Sequence, residues 1–421
     1  MSFGGPVFTR RSTVQGINPG PPSPVLWGSK IFVDPELGDD ATGQRNDLVF
    51  KFETYDAALA VALPFDEIIV LNSTVTPAAG LWGNIDNLTV TLYPSVTLSG
   101  TNLNSDIGDN CAIRGFGTVI DDGIFIQAVD GKTMYFEAYE FFLSRIQCEG
   151  VGKLTMRAWT NITIDQYVQF YNNPYVVFWY ADKTIFTNDG GGGGLSAFSM
   201  ITQPDSLVHI HSDLYAEGVF TKILDFSGLL GDWTVDFKMP KGYTIYVNAI
   251  PTEAVVRSYN NYNYNTSLTN KKYNLRLDAD IICNVAAYRA IWCFAGFLEY
   301  TGRLYSSSSA AGAIEINADA LGINQPATIL LSKGCEINAD STGGVWTADG
   351  VIKCIGSANN AVIIDDLKLI CADNTMLAIQ SNVAGTELRL QGVARSNMAL
   401  GGNMTNTIAS TTWTQETNIT F

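Results

Sequence analysis

This chain of 421 residues has only two histidines, one residue apart in "LVHIHSD" at His209 and His211. It has no Cys-x-x-Cys pair among its seven cysteines, so the spacing that announces zinc or dithiol redox chemistry is missing. Cys283, Cys335 and Cys371 sit in apolar runs and read as small buried hydrophobes kept reduced. No apolar run reaches the roughly 18 residues of a membrane helix, which argues against membrane insertion. Basic residues are few, 25 against 41 acidic, and the net charge of -16 would repel a phosphate backbone, which argues against nucleic acid as a partner. No apolar segment follows the two arginines near the start, so no secretory signal is read and synthesis in a cytoplasm is expected. After residue 70 helical periodicity is scarce too, which disfavours an α/β crossover fold.

The chain does have alternating apolar segments. "NLTVTLYPSVTLSG", "KLTMRAWTNITID", "LVHIHSDLYAEG", "YNLRLDADIICN" and "AVIIDDLKLICAD" share one shape, an alternating run, a polar break and a briefer run. They recur at intervals of roughly 20 to 40 residues, with Gly, Asn, Asp and Ser between. A sandwich would show even spacing and tight hairpin signals. Long, uneven loops between paired short strands fit a parallel β-helix better, in which each coil stacks on the last and loops leave at the corners. The organisation read from this is an extended Gly/Pro-rich arm over 1–29, an N-terminal cap over 30–72, a shaft over 73–397 and a C-terminal strand or oligomer contact over 398–421. Within the cap, Phe52, Tyr55, Leu59 and Leu63 are spaced as a short amphipathic helix.

The cap segment, "GSKIFVDPELGDDATGQRNDLVFKFETYDAALAVALPFDEIIVLN", resembles the N-terminal cap of pectin-lyase-like right-handed β-helices found in bacteriophage tail spikes and tail fibres. Ile31, Phe32, Val33 and Asp34 match the opening strand of that family, Thr54, Tyr55, Ala58 and Leu59 its helix, and Asp66, Ile68 and Val70 the following strand. Two positions depart from the pattern, Lys51-Phe52 for the usual Pro-Phe and Phe65 for the usual Gly. The resemblance implies an all-β, right-handed parallel β-helix in a virion structural protein: a homotrimeric tail spike, fibre or related appendage, made in the host cytoplasm and located in the virion. The arm would contact other virion proteins, and exposed loops the host surface, including its glycans. The alternative is a polysaccharide depolymerase, hydrolase or lyase, on the same scaffold; a bacterial surface adhesin would need the missing secretion signal.

Candidate chemistry is sparse. A hydrolase needs paired carboxylates a few ångströms apart, and the doublets Asp121-Asp122 and Asp365-Asp366 place neighbours on opposite faces of a strand. Arg276, Asp278 and Asp280 share one face by alternation and form the most site-like catalytic grouping, with a surface ion-pair row as the plainer reading. The Gly-rich stretch 188–196 lacks the Lys-Ser/Thr of a phosphate loop and reads as an excursion. Tyr259, Tyr262, Tyr264 and Tyr273, in an Asn-rich loop, offer flat faces with polar tips for a receptor or partner. His209 and His211 fall on the face opposite Val208 and Ile210, hence outside, where an ordinary polar ridge is the plain expectation. Only at a three-fold axis would three chains supply six nitrogens, an octahedral set for iron or another transition metal, an arrangement the resemblance implies.

Overall fold

The computed structural model describes residues 28–78, 80–100, 108–121, 124–127, 132–149, 152–171, 175–188, 196–201, 206–229, 235–249, 251–261, 274–285, 289–293, 296–306, 312–317, 327–339, 350–355, 361–371, 377–381, 386–390, 394–399, 404–409 and 413–415. Apart from Gly28 and Ser29, the expected arm lies outside them.

Among the described residues there are 33 strands and one helix, and every strand pairing is parallel. The pairings form three ladders that recur in fixed order along the chain. The strand Lys132–Ala138 joins the first ladder, Glu140–Glu149 supplies the second and then the third, and Gly152–Ala158 returns to the first. Each strand stacks on one a coil away: Lys132 pairs with Gly152, and Asp236 with Asn274. The chain is therefore nearly all β with a long parallel stack, a connectivity consistent with a β-helix solenoid.

Alternation explains why these segments stack. In Ser206–Ala216 buried and half-buried residues alternate without a break. Stacking in register sets apolar residues on apolar residues, so Ile31, Ile68, Val90, Ile113, Phe136, Met156, Trp179 and Ile210 form one continuous buried column. All seven cysteines are buried, and burial pushes the thiols of Cys111, Cys283, Cys293 and Cys354 up to about 12, so these are packing groups at neutral pH.

The three outward faces differ. Along the second ladder an outward column runs Ser99, Ile120, Phe142, Thr163, Ile185, Tyr215, Tyr246, Ile282, Tyr305, Asn338, Ile370, one residue per coil, none charged. Two residues earlier on the same strands the charges appear, among them Glu140, Lys183, Asp280, Arg303, Glu336 and Lys368. The third ladder is buried on both sides only at the start of its strands, where Ile223, Val255, Ala290, Ala313 and Val351 are fully buried beside buried Leu224, Val256, Ile291, Ile314 and Ile352; two residues on, Arg257, Trp292, Lys353 and Gln380 are half-buried. At the corner after the second ladder, side chains bond from coil to coil, Thr187 Oγ1 to Asp165 (3.2 Å), Asn248 Nδ2 to Glu217 (2.7 Å) and Asn284 Nδ2 to Asn248 (2.6 Å).

The cap forms as strand, helix and strand, with a shorter helix than the spacing suggests. Thr54 ends the extended backbone at φ −108°, ψ 151°, and its hydroxyl accepts from Ala57 N at 3.2 Å, so the helix spans only Tyr55–Ala60. Phe52 instead bridges to Val33 and is buried, while Leu63 is exposed. The two departures from the cap pattern have distinct outcomes. Lys51 forms an ion pair with buried Asp34. Phe65 takes the left-handed conformation, φ +75°, that a glycine would occupy freely. Asp66 ties the cap together, accepting from Ser29 N (2.8 Å), Leu63 N (2.8 Å) and Arg45 (2.7 Å). At the far end, Met404–Ala409 and Trp413–Gln415 continue the first and second ladders as parallel strands.

Candidate functional site

The outward face of the first ladder gathers most of the chemistry-bearing residues. Val208 and Ile210 point into the core, fully buried, so His209 and His211 project outward. Stacking then decides their neighbours. Phe178 lies beside His209 and Tyr180 beside His211 on the preceding coil, and Lys238 beside His209 on the next. The His209 ring meets Phe178 edge-on with centroids 5.6 Å apart, and His211 stacks on Tyr180 at 5.0 Å with Tyr243 edge-on at 5.8 Å. Lys153 sits over the Phe178 ring at 5.7 Å.

Burial, then the nearby Lys238, hold the His209 imidazole below its ordinary pKa, with Asp236 opposing; burial, then His209, do the same for His211. Both rings are therefore neutral at neutral pH, each with one N–H donor and one acceptor nitrogen. His209 Nε2 and His211 Nδ1 are shielded from solvent and make no hydrogen bond among the described residues. A metal arriving from outside would use the opposite nitrogens. The two ring centroids are 6.3 Å apart, and among the described residues no group of three or more His, Cys, Asp or Glu could hold a metal within one chain.

The arginine–aspartate grouping belongs to the same face. Arg276 is registered with Lys238, which is registered with His209, so the two candidate clusters share one column two coils apart. The carboxylates separate, however. Arg276 Nε donates to both Asp278 oxygens (3.0 and 2.9 Å), Glu299 lies 4.0 Å away, and Thr301 donates to Asp278 at 2.6 Å. Asp280 begins the next strand, on the second ladder, where Arg303 donates to it from its backbone N (2.8 Å), Nε (2.9 Å) and Nη2 (2.6 Å). The expected common face is broken because the first-ladder strand ends at Leu277 and a turn intervenes. Arg276 and Arg303, raised by their aspartate bonds, stay protonated and cannot serve as bases.

Other candidates are scattered. Asp121 is buried and Asp122 lies outside the described residues; Asp365 and Asp366 are both exposed, Asp366 in a left-handed turn at φ +61°. Tyr259 lies on the strand Ala254–Asn261, whereas Tyr262, Tyr264, Tyr273 and residues 189–195 of the Gly-rich stretch lie outside the described residues.

Sequence reasoning missed the charged residues of the third ladder. Asp225 is buried and receives two bonds from Arg257 (2.9 and 3.0 Å) one coil on. Glu315 is buried 2.8 Å from Arg289, whose guanidinium lies over Trp292 at 4.1 Å. The only signal available was one charge inside each apolar run, "ILDFS", "VVRSY" and "IEIN". These pairs read as structural contacts, since each carboxylate has an arginine beside it. Comparison of the chain with family models, with curated proteins and with solved structures finds no match in any of the three.

Proposed function

We propose that this chain is a structural component of a phage virion, a homotrimeric tail spike, tail fibre or related appendage, and that its stack is a right-handed, pectin-lyase-like β-helix. The observation that carries the reading is the capped parallel stack, whose first two ladders run between Lys30 and Gln415 and whose third runs between Ile124 and Ser381 among the described residues. Such a stack is stiff and one-dimensional and tolerates loops at its corners, which suits reach and display. The arm would bind neighbouring virion proteins, and the tyrosine-bearing loop would face the host surface and its glycans. For the polysaccharide depolymerase alternative, the carboxylates in question are Asp278, bound by Arg276, and Asp280, bound by Arg303.

In the trimer, His209 and His211 from three chains would present six neutral imidazoles to iron or another transition metal if the first-ladder face borders the axis. Native mass spectrometry of the purified chain tests both parts together. A trimer carrying one metal ion, lost in the His209→Ala, His211→Ala variant, supports the assembly and the metal. A metal-free trimer retains the assembly and removes the metal. A monomer overturns the trimeric appendage. Removal of residues 1–29 should leave a folded shaft that no longer enters particles.

A further inference from the structure

The exposed large apolar side chains of the described residues are not spread evenly. Apart from Val219 they lie in the cap, between Leu37 and Phe65, or in one patch: Tyr93, Phe116, Ile120, Tyr139, Phe142 and Trp159, each 40–49 % exposed. The patch occupies the corner between the first and second ladders and the start of the second face. Tyr93, Phe116, Tyr139 and Trp159 each follow directly on a first-ladder strand, at Leu92, Gly115, Ala138 and Ala158. Ile120 and Phe142 are registered neighbours in the second-ladder column. Phe116 and Trp159 rings approach to 5.3 Å, and Arg157 lies over Trp159 at 4.5 Å.

We infer that this corner, continued by the uncharged second-ladder column, is the surface on which another copy of the same chain packs. Three observations select that occupant. The first is area: aromatic side chains carry about 150–250 Å² each, so the five aromatics with Ile120 at this exposure leave roughly 500 Å², near the upper end for a monomer. The half-exposed column above brings the face toward the roughly 800 Å² per partner of a stable interface. The second is charge. Copies of a chain with net charge -16 repel one another, but the column from Ser99 to Ile370 is uncharged, and the charges two residues earlier on the same strands alternate in sign, Glu140, Asp280 and Glu336 against Lys183, Arg303 and Lys368, so no net negative charge accumulates on this face. The first-ladder face carries Lys238, Arg276 and Glu299 in its equivalent column, and the third ladder carries Asp225, Arg257, Glu315 and Lys353 in its own. The third is period. The column repeats once per strand spacing, about 4.8 Å, over its whole length, and a surface that matches it at every step must repeat at the same interval, as another copy does. This assignment deepens the trimer reading and rests on it for the number of copies.

The test measures mass by native mass spectrometry and light scattering on the full chain, the Ile120→Asp, Phe142→Asp variant and a Thr252→Asp control at an exposed position ahead of the third ladder. The expected result is an oligomer for the chain and the control and a monomer with unchanged far-ultraviolet circular dichroism for the double variant. A double variant that remains fully oligomeric overturns the surface and leaves the trimer standing; a monomeric parent chain overturns both. Should the double variant lose its fold, Tyr139→Cys decides by maleimide labelling, since the seven native cysteines are buried. Labelling slowed at least tenfold in the oligomer relative to a dissociated sample supports the surface, and equal rates overturn it.

Discussion

Tyr180 lies nearly flat on His211, ring centroids 5.0 Å apart and planes 22° from parallel, although 31 positions separate them in the chain. The contact follows from parallel register, which sets Tyr180 beside His211 and Phe178 beside His209. It also explains the lowered pKa of both histidines, because aromatic neighbours remove water from the imidazoles.

That shift sets a pH dependence. Unfolded, each histidine takes its proton near 6.5; folded, only at a lower pH. Between the two values the unfolded chain binds more protons, so stability falls as pH falls through that window and is insensitive to these groups above it. Thermal midpoints at pH 7.5 and 5.0 should differ less in the His209→Phe, His211→Phe variant than in the parent. An unchanged difference would assign the acid sensitivity to other groups.

Asp34 works in the opposite sense. Burial acts to raise its pKa, and this is outweighed by Lys51, by Asn72 and by the Leu37 and Glu36 amides, so the net value lies below 3.8. Its contribution is present above pH 3.8 and is lost as pH falls through the folded value. Asp34→Ala strands the Lys51 ammonium and should cost about 3 kcal/mol at neutral pH, read by denaturant titration. A loss confined to a few tenths would show that the cap tolerates an open Asp34 site.

Phe65 holds a left-handed backbone with its side chain 43 % exposed. A non-glycine residue there costs about 1–2 kcal/mol, and glycine returns part of the gain as chain entropy. Phe65→Gly should therefore stabilise the protein by up to about 1 kcal/mol. A lower unfolding midpoint would mean that the phenyl ring contributes more than the strain.

Inside the core, Trp179 Nε1 donates to Thr184 Oγ1 at 2.8 Å, and Thr184 Oγ1 lies 2.8 Å from Ser212 Oγ, all buried. Thr184→Val keeps the volume and removes the shared oxygen, leaving the indole N–H unmatched. The expected cost is about 1–3 kcal/mol in equilibrium unfolding. A neutral result would point to water taking the place of the hydroxyl.

Part of this arrangement was legible from residue order. Strict alternation in "LVHIHSDLYA" is enough to send Val208 and Ile210 inward and the histidines outward, because side chains on a strand alternate sides whatever it pairs with. The cap was legible through Asp34, Thr54 and Asp66, whose carboxylates and hydroxyl close turns within or near their own segment. The helix boundary was less so: helical spacing extends to Phe52 and Leu63, while the Thr54 cap restricts the helix to Tyr55–Ala60. Alternation likewise placed Asp280 with Arg276, and the turn after Leu277 moved it to another ladder.

What the sequence by itself determined is the side of the strand on which each residue falls, since that depends only on a period of two. The tertiary structure alone decided which residues lie above and below it. Strands that touch are separated by loops of uneven length, and those loops carry no record of register; the packing of one coil on the next supplies it. That packing set His209, Lys238 and Arg276 in one column, separated Asp278 from Asp280, buried Asp225 against Arg257, and left Tyr93, Phe116, Tyr139 and Trp159 together at one corner.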